Sequence, residues 1–264
     1  MKIALCLRGH MRTFDRCHSY IQEIKKNHEL DIYIHTWEDL GYLKLDSPEF
    51  SPENVGTINL NSGKINIDLI REIYDPVKIA VENYQYHRDT FEAMASKFVP
   101  WYNEIKHDPT VGAPRMHSFM SQLYKEQAVI KMKSEYAKKH SIKYDLVIVT
   151  RPDVLLHIDE EALDKMKSDT SKVYIRSSNG DINEIYKSMW ICNSFFISNE
   201  ENIDTLATLY SKVDAIRKDL YNVWKTTKDV STYSIMFCIH RLCWYHLHSN
   251  NLDPVIGPEA TIIR

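Results

Sequence analysis

The stretch Tyr144-Asp145-Leu146-Val147-Ile148-Val149-Thr150-Arg151-Pro152-Asp153-Val154-Leu155-Leu156 decides how the rest of the chain is read. Its apolar run is short and rich in β-branched residues, the pattern of a strand buried on both faces. Pro152 has no N–H to give to a ladder and biases Arg151 away from helix, so the strand must end there. A cation and a carboxylate two residues apart are thereby presented at the carboxyl end of a central parallel strand. In open α/β sheets that edge is where ligands bind. The alternative is an Arg and an Asp that are merely solvated or paired with neighbours.

Working outward, Lys2 to Leu7 reads as a first buried strand and Leu30 to Trp37 as a second. Thr13 is placed to cap a helix from Phe14 to about Asn27, with Tyr20, Ile21 and Ile24 on one face. Residues 38 to 63 carry Gly41, Pro48, Pro52, Gly56 and Gly63 and read as a long irregular excursion. Ile67 to Tyr74 reads as a short helix and Val77 to Val81 as a strand, while residues 84 to 114 give no clear pattern. Arg115 to His140 is the clearest helix, closed by Lys138-Lys139-His140 at the negative end of its dipole. A helix is expected over Asp159 to Met166, strands over Lys172 to Ile175 and Ile191 to Ile197, and helices over Glu200 to about Leu220 and Ser231 to Trp244. Leu252 to Ile263 reads as extended. The alternation predicts an α/β fold with a central, mostly parallel sheet flanked by helices. Neither a repeat nor a linker divides residues 1 to 264, so one domain is expected.

The chain has 264 residues, a formal net charge of −3, 44% hydrophobic content, and only 7 Gly and 9 Pro. Low complexity is excluded, and no global field draws the chain to nucleic acid or to an anionic membrane. Five cysteines, an odd number scattered over a long chain, suit free thiols in a reducing compartment. No apolar run is long enough to span a bilayer, and the N-terminal one is too short for a secretory signal. A cytoplasmic protein with at most peripheral membrane contact is expected.

Three places invite chemistry. Arg8-Gly9-His10-Met11-Arg12 lies between a strand and a helix, where a glycine allows close backbone approach and two guanidinium groups favour an anion. The glycine signatures of dinucleotide-binding and P-loop proteins are absent. Asp153 is a candidate ligand for Mg²⁺ or Mn²⁺, though one carboxylate leaves most of a coordination shell to phosphate and water. Otherwise Arg151, Arg8 and Arg12 neutralise a diphosphate without metal. Asp181, Asn183 and Glu184 form a polar loop from which one residue, Asp181 first, is a candidate base. Cys238 and Cys243 sit five apart, about 500° around a helix, which argues against a structural zinc site with the nearby histidines. His246 is within reach of a phosphate in one reading and a hydrogen-bonded core residue in the other.

The segments Lys2 to Phe14, Asp31 to Trp37, Ser121-Gln122-Leu123-Tyr124-Lys125, Tyr144 to Asp153, Cys192 to Ser198 and His246 to Asn251 together resemble a group of glycosyltransferases with a GT-A-like, Rossmann-related fold, often encoded with capsule or lipopolysaccharide genes. The resemblance implies a nucleotide-sugar donor, a glycan or glycolipid acceptor and a role in polysaccharide biosynthesis. It places Arg8, Gly9, Arg12, Trp37, Gln122, Arg151, Asp153 and His246 around the donor. Asp153 takes the last position of the Asp-x-Asp motif usual in such enzymes, with Arg151 where the first Asp is expected. The group often carries Asp where Asn193 aligns; an amide cannot deprotonate an acceptor hydroxyl. A catalytically silent nucleotide- or glycan-binding protein of the same fold, and a sugar nucleotidyltransferase, are the alternative functions. Replacing Arg8 or Asp153 by Ala is expected to abolish donor binding with the fold intact.

Overall fold

A computed structural model describes residues 1–40, 63–98, 100–101, 116–176, 191–227, 235–236 and 238–263. Residues 41–62 of the irregular excursion, all of 102–115 and the loop holding Asp181, Asn183 and Glu184 lie outside the described residues.

Seven strands form the main sheet: β1 (Lys2–Gly9), β2 (Glu29–Trp37), β3 (Lys78–Glu82), β4 (Leu146–Thr150), β6 (Val173–Arg176), β7 (Cys192–Ser198) and β8 (Pro254–Ile256). Their order is β3-β2-β1-β4-β7-β6-β8. The β3-β2-β1-β4 half is parallel throughout, and only β7 runs against its neighbours. The sheet is thus mostly parallel, as the sequence pattern predicts. From β1 the chain moves to β2 on one side, while β4 lies on the other, so the order reverses at the β1–β4 boundary. Such a switch point opens a crevice at the carboxyl ends of the two strands.

Every residue of β4 is buried, and alternate side chains enter two separate cores. On one face Ala4, Cys6, Tyr33, Val147, Val149 and Phe196 pack against helices α3 (Tyr84–Ser96), α4 (Met116–His140), α6 (Glu200–Ala207), α7 (Leu209–Thr227) and α8 (Ile239–Ser249). On the other Ile3, Leu5, Leu7, Ile32, Ile148 and Ile197 meet α1 (Ser19–Asn27), α2 (Ile67–Tyr74) and α5 (Glu160–Ser168). Burial on both faces is what a continuous apolar strand needs, at about 1.5–3 kcal/mol for each fully buried large aliphatic side chain.

Pro152 ends β4 as expected. The chain turns tightly, with Val154 N–H donating to the Arg151 carbonyl at 3.2 Å. It leaves the main sheet as β5 (Val154–His157), which pairs antiparallel with β9 (Glu259–Ile262).

Three expectations are corrected, and one segment without a clear pattern takes form. Thr13 does not cap a helix: its hydroxyl donates to the Ile263 carbonyl at 2.9 Å, and only a 3-10 turn forms over Phe14–Arg16 before α1 begins at Ser19. Residues 84–96, which show no clear pattern in sequence, are α3, capped by the Asn83 side chain on Gln85 N–H. The helix expected from Glu200 to Leu220 is two helices, interrupted at Thr208. Of the helix expected from Ser231 to Trp244, residues 231–234 and 237 lie outside the described residues and 235–236 are helical; after a break at Cys238 a helix runs from Ile239 to Ser249, five residues past Trp244.

Candidate functional site

At the switch point lies a pocket of about 210 Å³ lined by Arg8, Gly9, His10, Arg12, Trp37, Tyr84, Ser121, Gln122, Lys125, Arg151 and Asp153. Gly9 closes β1, Trp37 closes β2, and Arg151 and Asp153 follow β4. Ser121, Gln122 and Lys125 come from one face of α4, at the i, i+1 and i+4 spacing that clusters side chains along a helix. Gly9 has φ +99, and an added Cβ would meet nothing within 4 Å. The position therefore needs glycine for its backbone, not for space.

Arg8 is almost wholly buried, at 2% exposed. Its Nε lies 2.9 Å from Glu126 Oε2, an ion contact without hydrogen-bond alignment, and its terminal nitrogen donates to the Asn193 carbonyl. Burial pushes the Glu126 carboxyl up, and the Arg8 guanidinium pulls it back only in part. A buried ion pair is costly to break from one side. Arg8→Ala is therefore expected to strand Glu126 in the core and to destabilise the fold, against the expectation that the fold survives.

Asp153 is 3% exposed and held in a two-pronged pair: Arg151 Nε donates to Oδ1 at 2.8 Å and a terminal nitrogen to Oδ2 at 2.5 Å. Arg12 approaches the same Oδ2 at 4.0 Å. The turn that presents this pair is tied down by the Arg151 N–H on the Ser194 carbonyl and the Ile263 N–H on the Asp153 carbonyl.

Lys125 was not singled out by sequence reasoning. Its fully buried ammonium meets Glu82 Oε2 at 2.8 Å, the Thr36 carbonyl at 2.9 Å and His35 Nδ1 at 3.0 Å, and sits 3.5 Å from the Trp37 ring centroid. Burial lowers Lys125 to about 8, with Glu82 opposing. Burial and then Lys125 lower His35 to about 4, so its Nδ1 is free to accept the ammonium proton. For Glu82, burial raises the carboxyl but the Lys125 hydrogen bond and charge prevail and lower it. His10 is also brought down to about 4 by burial and accordingly stays neutral near pH 7.

The pocket thus brings together Arg8, Gly9, Arg12, Trp37, Gln122, Arg151 and Asp153. Asn193 lies directly behind it, its amide donating to Gln122 Oε1 at 3.2 Å. His246 is not at the site. It is 1% exposed and ties α8 to the end of α6 through the Thr205 carbonyl at 3.0 Å and the Thr208 hydroxyl at 3.3 Å, the core reading of that residue. Asp181 lies outside the described residues. Tyr84 is a lining residue that motif reading missed, while His10, Ser121 and Lys125 fall within quoted motifs but were given no role. The one available signal was the polar run Ser121-Gln122…Lys125-Glu126 within a helix whose neighbours are apolar.

The described lining offers a divalent cation a single carboxylate, Asp153. Both oxygens of the lining carboxylate already face Arg151, and Arg12 stands beside them. Among the described residues no three His, Cys, Asp or Glu side chains come together, so a divalent ion would draw most of its shell from phosphate and water. All five cysteines are free thiols. No described helix is long and apolar enough to cross a membrane.

No family model matches the sequence. No curated protein matches it either. Among solved structures the chain is similar to the apo form of mouse xyloside xylosyltransferase 1, at 9% identity and a TM-score of 0.42 over 97% of this chain and 83% of that one.

Proposed function

We propose that this chain is a glycosyltransferase that moves a sugar from a nucleotide-sugar donor to a hydroxyl of a glycan or glycolipid precursor. The observation that carries the reading is the gathering of Arg8, Arg12, Lys125 and Arg151 at the carboxyl edge of a parallel sheet, where the strand order reverses. A single phosphate needs fewer cations; a diphosphate offers two charged groups, and each charge-assisted hydrogen bond contributes about 1.5–3 kcal/mol. Trp37 and Tyr84 supply an aromatic wall beside these charges, packed edge to face at 5.1 Å.

In the reaction the bond from the anomeric carbon to the diphosphate breaks and its electron pair leaves with the diphosphate. A bond to the acceptor oxygen forms, and the products are a glycoside, a nucleoside diphosphate and a proton. The arginines stabilise charge as it develops on the leaving diphosphate, and the fixed strand ends align the two reactants. A cell-surface glycan precursor made in the cytoplasm is the acceptor class this reading favours.

The second reading is a silent protein of the same fold that binds a nucleotide or a glycan. It is supported by the state of two of the three candidate catalytic groups, since Asp153 is held by Arg151 and Asn193 is an amide engaged with Gln122. Transfer and donor-hydrolysis assays over a panel of nucleotide-sugars separate the two. Release of a nucleoside diphosphate supports the transferase. Saturable binding with no turnover of any donor refutes it in favour of the silent protein.

A further inference from the structure

We propose that Asp153 is a resident counter-anion of the pocket, displaced from Arg151 by the incoming diphosphate, and not a ligand for a divalent cation. This rests on the reading above that the pocket takes a diphosphate.

The geometry assigns that role in three ways. Asp153 and Arg151 are two residues apart on a turn fixed by backbone hydrogen bonds to Ser194 and Ile263, so their pairing is built into the local chain. The pair is two-pronged, the same fork-on-two-oxygens match that a guanidinium makes with a phosphate. A diphosphate and Asp153 are thus competitors for one fork. Finally, Arg12 lies 4.0 Å from the same Oδ2, so a cation placed on that oxygen would stand between two guanidinium groups. An anion entering between Arg12 and Arg151 meets the opposite field.

The residue consequently has two effects. In the ligand-free state it keeps the Arg151 fork extended toward the pocket, where the side chain is 25% exposed, and offsets the repulsion between the two arginines. On binding it is the group that the ligand must outcompete, which limits affinity and speeds release of the diphosphate product.

The test is calorimetric titration of the whole chain with inorganic pyrophosphate, in a chelator and in excess Mg²⁺, with free ligand corrected for complexation. For the wild type the dissociation constant is expected to agree between the two buffers within about threefold. Asp153→Asn keeps the shape, removes the competing charge, and is expected to bind pyrophosphate about tenfold more tightly in both buffers. Weaker binding in Asp153→Asn, or a wild-type affinity that rises tenfold or more with Mg²⁺, overturns the assignment. Should Asp153→Asn fail to fold, the wild-type comparison decides alone, joined by the spin-resonance signal of Mn²⁺ with pyrophosphate. That signal is expected to stay unchanged on adding protein, and Mn²⁺ held in a protein–pyrophosphate complex overturns the proposal. Pyrophosphate binding with this pattern but without preference for any nucleoside diphosphate upholds the counter-anion and removes the nucleotide-sugar reading. Absence of any pyrophosphate binding removes both.

Discussion

Arg8→Ala is the sharpest perturbation of this fold. The wild-type guanidinium is 2% exposed, the Glu126 side chain 3%, and the two lie 2.9 Å apart. Removing one partner of such a pair leaves the other charged and desolvated, at about 3–5 kcal/mol. A buried hydrogen bond to the Asn193 carbonyl is lost as well, which adds about 1–3 kcal/mol. A loss of about 4–8 kcal/mol is a large part of the 5–15 kcal/mol that typically holds a domain together, and it corresponds to a fall in Tm on the order of 10 °C or more. The pH dependence follows from Glu126, whose carboxyl burial raises and Arg8 lowers. Without Arg8 its folded pKa rises further above the unfolded value. A raised folded pKa gives stability that is present below the unfolded pKa and lost as pH rises through the folded one. The deficit of Arg8→Ala should accordingly be largest at pH 7.5 and shrink toward pH 5. Arg8→Met with Glu126→Leu should recover most of the loss, because an apolar pair of similar volume replaces the ion pair. Urea unfolding of the three proteins at both pH values checks this. A cost below about 1 kcal/mol at pH 7.5, or no recovery in the double variant, refutes the argument.

Four further outcomes follow from the same geometry. Lys125 sits at about 8 because burial outweighs Glu82, so above pH 8 the pocket loses a positive charge; pyrophosphate affinity should fall up to about tenfold between pH 7 and 9, while Lys125→Met binds more weakly and shows no such fall. Because that lysine's folded pKa lies below its ordinary 10.5, unfolding takes up a proton between the two values, and stability from this group should rise, not fall, as pH goes from 8 to 10. Gly9→Ala should cost about 1–2 kcal/mol in thermal unfolding from its φ of +99 alone, since the new methyl meets no protein atom; a neutral effect would remove the backbone argument. His246→Ala should destabilise by about 1–3 kcal/mol through the lost contacts to Thr205 and Thr208 yet leave pyrophosphate affinity unchanged; weakened binding in a folded variant would return His246 to the site.

The sheet was legible because its strands announce themselves twice, through apolar runs and through punctuation. Leu146 to Val149 has no polar break, and Pro152 fixes where the strand must stop, so both β4 and the position of the Arg151–Asp153 turn could be read from residues alone. Gly9 and the arginines around it were legible for the same reason, lying between a strand and a helix. Thr13 misled because its hydroxyl serves the C-terminal segment at Ile263, a partner 250 residues away that no local pattern reveals. Residues 84–96 concealed a helix because Tyr84, His87 and Phe91 face an aromatic cluster with Trp37 and Tyr124, and aromatic residues carry little helix preference of their own. Lys125 escaped notice because a lysine in a long helix ordinarily points to solvent. Only the tertiary meeting of α4 with the ends of β2 and β3 buries it.

The central claim is that the carboxyl ends of β1, β2 and β4 form a diphosphate site. A crystal soaked with the nucleoside diphosphate that most raises Tm tests it most directly. The account predicts phosphate density between Gly9 and Arg151, within hydrogen-bond reach of Arg12 and Arg151, with the Arg151–Asp153 pair opened. A nucleotide bound elsewhere on the molecule, with that pocket unchanged, would contradict it.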